Sequence, residues 1–167
     1  MAFVTQYPRD PERPKGGVEA VSATLVPALA GLADLEVIVV TCEPGLTRPE
    51  RSDVGGVEIH RLPRTARRIL WEAIGPGRRQ MHGFLAALKP DVIHAHDVYG
   101  LMVQGFPAPR VFTVHGFISA DTLVSGERFP RLRSLLWRRL ETRSWADKHY
   151  RVGTPEYKAR VRMLSFG

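Results

Sequence analysis

The sequence predicts an α/β domain built on a mainly parallel sheet, and three observations carry that prediction. Short β-branched apolar runs recur along the chain, segments with helical spacing lie between them, and 167 residues suffice for one domain. The composition agrees: 44% hydrophobic and 25% charged residues exclude a disordered or collagen-like chain. No stretch reaches the roughly 18 consecutive apolar residues of a membrane span. Met1 to Asp10 lacks an apolar core behind a basic start. The expectation is therefore a cytoplasmic, unprocessed protein.

Ala2 to Thr5 is the first strand candidate. The helix after it is expected to begin beyond Gly16 and Gly17, because Val18, Val21, Leu25, Leu29 and Leu32 recur in steps of three and four. Those five residues predict its buried stripe, and Pro27 inside it predicts a kink. Glu36 to Cys42 reads EVIVVTC, a buried strand ending in the chain's one cysteine, which reads as a packing residue. Val57 to Leu62 alternates apolar with polar residues, the pattern of a half-exposed strand at a sheet edge. From Ala66 to Leu88 the helical spacing is interrupted at Gly75, Pro76 and Gly77, so two helices joined by a bend are expected. Asp91 to Ala95 and Arg110 to Val114 complete the strands. Arg131 to Trp145 is helical, but Arg139 and Arg143 fall among Leu132, Leu136 and Leu140, so two arginines on that face need partners. His149 to Val152 is more polar than the other strand candidates, so a last strand there is left open.

The formal charge is +7, concentrated between Arg61 and Arg79 and between Arg128 and Arg143. Such patches attract polyanions or form a solvated face. Zinc-finger spacing, a ribonucleoprotein aromatic motif and a glycine-flanked basic loop are all missing, so no nucleic acid is expected. An anionic membrane surface or a phosphorylated ligand fits the charge, with Arg131, Arg133, Arg138 and Arg139 as candidate contacts beside Leu132, Leu135, Leu136 and Trp137.

In a parallel sheet, ligands bind beyond the carboxyl ends of the strands. After the first strand, a proline-rich loop ends in Lys15, Gly16 and Gly17. Glycines before a helix let backbone N–H groups approach an anion, and Lys15 adds charge. The spacing is neither the G-x-G-x-x-G of dinucleotide enzymes nor the Walker pattern. The fourth strand ends in His94, Ala95, His96 and Asp97, and the fifth in His115 and Gly116. Alternation places His94 and His96 on one face, with His115 at the same rim. A metal hydrolase using His94, His96, Asp97 and His115 is one alternative, although the chain is too short for a barrel of about 250 residues. For His94 a hydrogen-bonded structural role is preferred, and His60 and His82 have no placement that suggests a role.

Four segments, in order, carry a resemblance: K-G-G-V-E (Lys15 to Glu19), P-D-V-I-H-A-H-D (Pro90 to Asp97), T-V-H-G (Thr113 to Gly116), and W-A-D-K followed by T-P-E-Y-K (Trp145 to Lys148, Thr154 to Lys158). Together they resemble the N-terminal domain of retaining glycosyltransferases of family 4, over nearly the whole chain. That resemblance implies a Rossmann-like sheet with helices on both faces, one half of a GT-B architecture, over residues 1–167. It implies a nucleotide-diphosphate sugar and an acceptor as substrates, and a C-terminal donor-binding domain missing from this chain or carried by a separate one. Gly16 and Gly17, with Lys15, would meet the donor diphosphate; His115 would lie beside the transferred sugar; His96 and Asp97 would line the acceptor side. Glu19 would complement the helix N-terminus. The implied chemistry needs no cofactor and no metal. The alternative from another class is a non-catalytic arginine-rich module that docks on an anionic membrane or protein, so a peripheral place at the inner membrane face accompanies the cytoplasmic expectation.

Overall fold

The computed structural model describes residues 1–66, 69–116, 131, 134–140 and 150–152. Its strands are β1 (Ala2–Val4), β2 (Ile38–Glu43), β3 (Glu50–Val54), β4 (Val57–Pro63), β5 (Ile93–His96), β6 (Arg110–Thr113) and β7 (Tyr150–Val152). Its helices are α1 (Gly17–Ala30), α2 (Ile69–Ile74), α3 (Pro76–Leu88) and the short α4 (Tyr99–Met102), with residues 134–140 also helical. Among the described residues the strands form one sheet in the order β3-β4-β2-β1-β5-β6-β7. Every neighbouring pair is parallel except the β3–β4 hairpin.

Strand alternation divides the core in two. Phe3, Val39, Val57 and Ile59 face α1 and pack with Val26, while Ala2, Val4, Val40, Leu62, Ile93, Ala95 and Phe112 face the other helices and pack with Met81, Leu85 and Trp137. Each large apolar side chain so buried contributes about 1.5–3 kcal/mol. The sheet is thus covered on both faces, as the predicted parallel α/β arrangement requires.

Several expectations are corrected. β4 is interior, because β3 pairs outside it; Glu50–Val54 is polar and escapes an apolar pattern. Its hairpin turns at Gly55 (φ +61°) and Gly56 (φ +82°), and Asp53 Oδ1 accepts the Gly56 N–H at 2.9 Å. β7 forms at the opposite edge despite its polar sequence, in parallel register with β6. α1 carries Pro27 within its span. Its buried residues are Ser22 and Val26, with Leu25 and Leu29 partly covered, whereas Val21 and Leu32 are exposed. The helix is rotated because Ser22 Oγ meets Thr5 Oγ1 of the β1 end at 2.7 Å, two buried hydroxyls that satisfy each other. Arg139 is exposed, so it needs no buried partner: that helical segment buries Trp137 instead of Leu136. Arg143 and the segments Trp145 to Lys148 and Thr154 to Lys158 lie outside the described residues, as does Arg133.

The expected bend between α2 and α3 is present, with Pro76 at the first turn of α3. The buried Glu72 carboxylate accepts the Thr65 N–H, the Thr65 hydroxyl and the Ala66 N–H, and a Cβ on Gly77 would collide with it. α3 ends at Lys89 in the left-handed region (φ +52°), just before Pro90.

Candidate functional site

From β1 the chain builds outward through β2 to β4 and β3, then returns to lay β5 and β6 on β1's other side. The crevice of such a sheet opens where the order reverses, beyond the carboxyl ends of β1 and β5. Three segments meet this rim: the loop from Thr5 to Gly16, Asp97 after β5, and Val114 to Gly116 after β6.

The histidines form a ladder on the α1 side. Register pairs Phe3 with His94, and His96 with Thr113, so alternation puts Phe3, His94, His96, Thr113 and His115 on one face. The His94 and His96 rings lie 4.8 Å apart, each edge-on to Phe3, and the His115 ring follows 4.7 Å from His96. His94 Nε2 hydrogen-bonds Thr113 Oγ1 at 2.8 Å, the structural role preferred for it. His96 is 0% exposed, and its Nδ1 lies 3.0 Å from Nε2 of the exposed His115. Burial, with His115 beside it, holds the His94 imidazole down to about 4; burial, with His94 and His115, holds His96 down to about 3. Both are neutral near pH 7. Any contribution of His96 to an acceptor therefore runs through His115, since His96 presents no surface of its own. Among the described residues no three His, Cys, Asp or Glu side chains converge as metal ligands.

At the N-terminus of α1, Gly16 is extended (φ −163°) and no side chain caps the helix. The Glu19 carboxylate turns back to accept the Lys15 N–H at 2.6 Å. A Cβ on Gly16 or Gly17 would meet nothing within 4 Å. Neither glycine is demanded by a neighbour, and the space before the helix is open.

Beside this opening is a cleft of about 660 Å³, lined in part by Arg9, Lys15, Cys42, Glu43, Glu72 and Tyr99. Several charges in and behind it are paired within the fold, while no ion pair involves Lys15 among the described residues. Arg9 pairs with Glu43 and Glu50, and Arg61, only 5% exposed, donates to the carbonyls of Tyr7 and Pro8 at 3.1 and 2.9 Å and sits 3.6 Å from Glu43. Arg61 thereby clamps the β1–α1 loop and does not belong to the solvated basic face expected of the Arg61 to Arg79 patch. Tyr99 is buried, and its hydroxyl accepts the Cys42 N–H at 2.9 Å. Burial, with the Glu72 charge nearby, pushes the Cys42 thiol up to about 12, so it stays a protonated packing residue.

Of the residues expected at one rim, His96, Asp97 and His115 are in contact, while Lys15, Gly16 and Gly17 lie at the start of α1, with Lys15 on the neighbouring cleft. Sequence reasoning missed Arg9, Arg61, Glu72 and Tyr99. The signal for Arg61 was present: it occupies the inward phase of the strand, two residues beyond Ile59 and four beyond Val57. Arg131, Arg138 and Arg139 are exposed. Among the described residues no helix is long and apolar enough to cross a membrane.

The sequence model of the family described as Glycosyltransferase Family 4 matches residues 15–152. No curated protein matches the sequence. Among solved structures the chain is similar to the one described as "Trehalose-6-phosphate from E. coli bound with UDP-2-fluoro glucose", with a TM-score of 0.38 and 14% identity, over 80% of this chain and 41% of that one. That likeness is too distant to bear on function, and the chain spans less than half the length of that protein.

Proposed function

The chain belongs to glycosyltransferase family 4, and from that premise we propose that it forms the acceptor-side half of a GT-B enzyme that moves a hexosyl group from a nucleotide-diphosphate sugar to an acceptor with retention. The observation that carries this reading is the open space before Gly16 and Gly17, at the same sheet end as the exposed ring of His115. Unfilled backbone at a helix N-terminus suits a diphosphate, and Lys15 adds a cation. His115 lies on the sugar side and the end of β5 on the acceptor side, Asp97 there and the buried His96 acting through His115. Gripping of the donor falls to a second domain, in the same or another polypeptide.

In this reaction the bond from the sugar's anomeric carbon to the diphosphate breaks, a bond to the acceptor oxygen forms, and the departing diphosphate takes the acceptor's proton on the same face. No carboxylate nucleophile is required of this half. Accordingly, Glu43 is paired with Arg9, Glu72 is spent on Thr65 and Ala66, and Asp97 accepts a main-chain N–H. The protein's part is positioning and charge stabilisation. The test is release of nucleoside diphosphate from a panel of nucleotide sugars by the 167-residue chain alone and after a donor-binding domain is supplied. No turnover is expected from the chain alone, and transfer from the pair; turnover by the chain alone contradicts the proposal.

Peripheral docking on an anionic membrane is favoured by Leu135 and Leu136, 49% and 45% exposed beside the exposed Arg131, Arg138 and Arg139. Sedimentation with acidic but not neutral vesicles is expected, and equal binding to both removes the idea.

A further inference from the structure

We propose that His96 and Asp97 are positioning residues that mount His115 on the end of β5, His96 holding its ring and Asp97 its main chain. The inference rests on the sugar-side reading of His115 and narrows how the β5 end acts. β6 stops at Thr113, so the turn carrying His115 leaves the sheet ladder. Three contacts from β5 replace the ladder. The Asp97 N–H donates to the Thr113 carbonyl at 3.1 Å, the His115 N–H donates to Asp97 Oδ1 at 2.8 Å, and His96 Nδ1 meets His115 Nε2 at 3.0 Å. To make the first two, Asp97 occupies the left-handed region at φ +44°, a conformation that Asp and Asn tolerate best after glycine.

His96 is the more telling of the two. Its ring is fully buried against Phe3 and His94, and among the described residues its Nε2 has no hydrogen-bond partner. A buried unpaired ring nitrogen carries a desolvation cost that no hydrogen bond among the described residues offsets. Phenylalanine would fill the same space against the same rings without that cost. What only a histidine, or an asparagine reaching the same point, supplies is the polar atom at Nδ1 facing His115. Asp97, by contrast, serves through an oxygen acceptor, which asparagine also offers.

The test reads the ring nitrogens of His115 by long-range proton–nitrogen NMR on the full chain. An exposed imidazole exchanges between tautomers; a mounted one shares a single proton with His96 and shows one tautomer. His96→Phe is expected to keep or raise Tm while His115 reverts to tautomer averaging, and His96→Asn to restore the single tautomer. In the enzyme completed by its donor domain, His96→Phe is expected to lower turnover about 10- to 100-fold. Asp97→Ala, which removes the Oδ1 acceptor of the His115 N–H, is expected to speed exchange of that amide proton, and Asp97→Asn to restore its protection. Tautomer averaging at His115 in the unaltered chain overturns the proposal, as does full turnover in His96→Phe when His115→Ala is impaired. If His115→Ala itself keeps wild-type turnover, the sugar-side reading fails, and the unaltered chain's spectrum still decides whether the mount exists.

Discussion

The crevice rim and the β3–β4 hairpin are built from the same residue types, each with a Gly-Gly pair and a histidine, yet the two regions use them differently. In the hairpin, Gly55 and Gly56 both take positive φ, which the chain itself demands for a two-residue turn. At the rim, Gly16 is extended, and an added Cβ on either glycine meets nothing. There no neighbour demands a glycine. His60 of the hairpin pairs with Glu58 on its own strand and packs on Phe84, so its contacts are spent within the fold. His115 is exposed and held by a residue from another strand. A motif's letters therefore say less about its role than its φ angles and the contacts of the histidine beside it.

The sharpest way to break this contrast is to remove the two histidines. His115→Ala in the completed enzyme should lower turnover on the order of 100-fold, the scale of one lost transition-state donor, with a stability cost of about 1 kcal/mol as buried His96 Nδ1 loses its partner. His60→Ala should leave turnover alone. Equal effects in a transfer assay at saturating substrates would erase the distinction.

Arg61 links the two regions, reaching from β4 of the hairpin to the loop that ends at Gly16. Arg61→Leu leaves the Tyr7 and Pro8 carbonyls without this donor and removes one neighbour of Glu43, so a loss of about 2–3 kcal/mol is expected in denaturant unfolding. Unchanged stability would place Arg61 back on a solvated face.

Acid should weaken the rim. In the unfolded chain His94 and His96 titrate near 6.5; in the fold burial holds them to about 4 and about 3. Between pH 6.5 and about 4 the unfolded chain binds protons that the folded chain does not, so stability present above pH 6.5 is lost as pH falls. The slope is at most about 1.4 kcal/mol per pH unit for each histidine. Tm should drop from pH 7 to pH 5, and less so in His96→Phe; a drop of the same size in that variant contradicts the assignment.

The smallest effects separate the glycine pairs. Gly56→Ala should cost about 1 kcal/mol through its positive φ. Gly17→Ala, at the start of α1, should cost nothing and gain up to about 1 kcal/mol, while weakening donor binding in the completed enzyme. Calorimetry beside donor titration checks both, and a Gly17→Ala enzyme with unaltered donor affinity would leave that glycine without a purpose.

Local pattern alone determined the alternation of strands and helices, the bend at Gly75 to Gly77, and the strand ends that bring His96, Asp97 and His115 together. β-branched runs and turn residues act over a few positions, and a parallel sheet sends all its strand ends to one rim. The Gly-Gly signal for the hairpin was also legible, though the polar Glu50–Val54 hid the strand it served. Only the tertiary structure decided which face α1 buries, since Ser22 goes inward for the sake of Thr5, 17 residues away. Likewise it decided that Arg61 is a clamp, with carbonyls 54 and 53 residues away as its partners, and that His96 holds His115 across 19 residues. Burying a polar group is tolerable only where a partner meets it, and that partner is chosen by the fold and not by the neighbouring sequence.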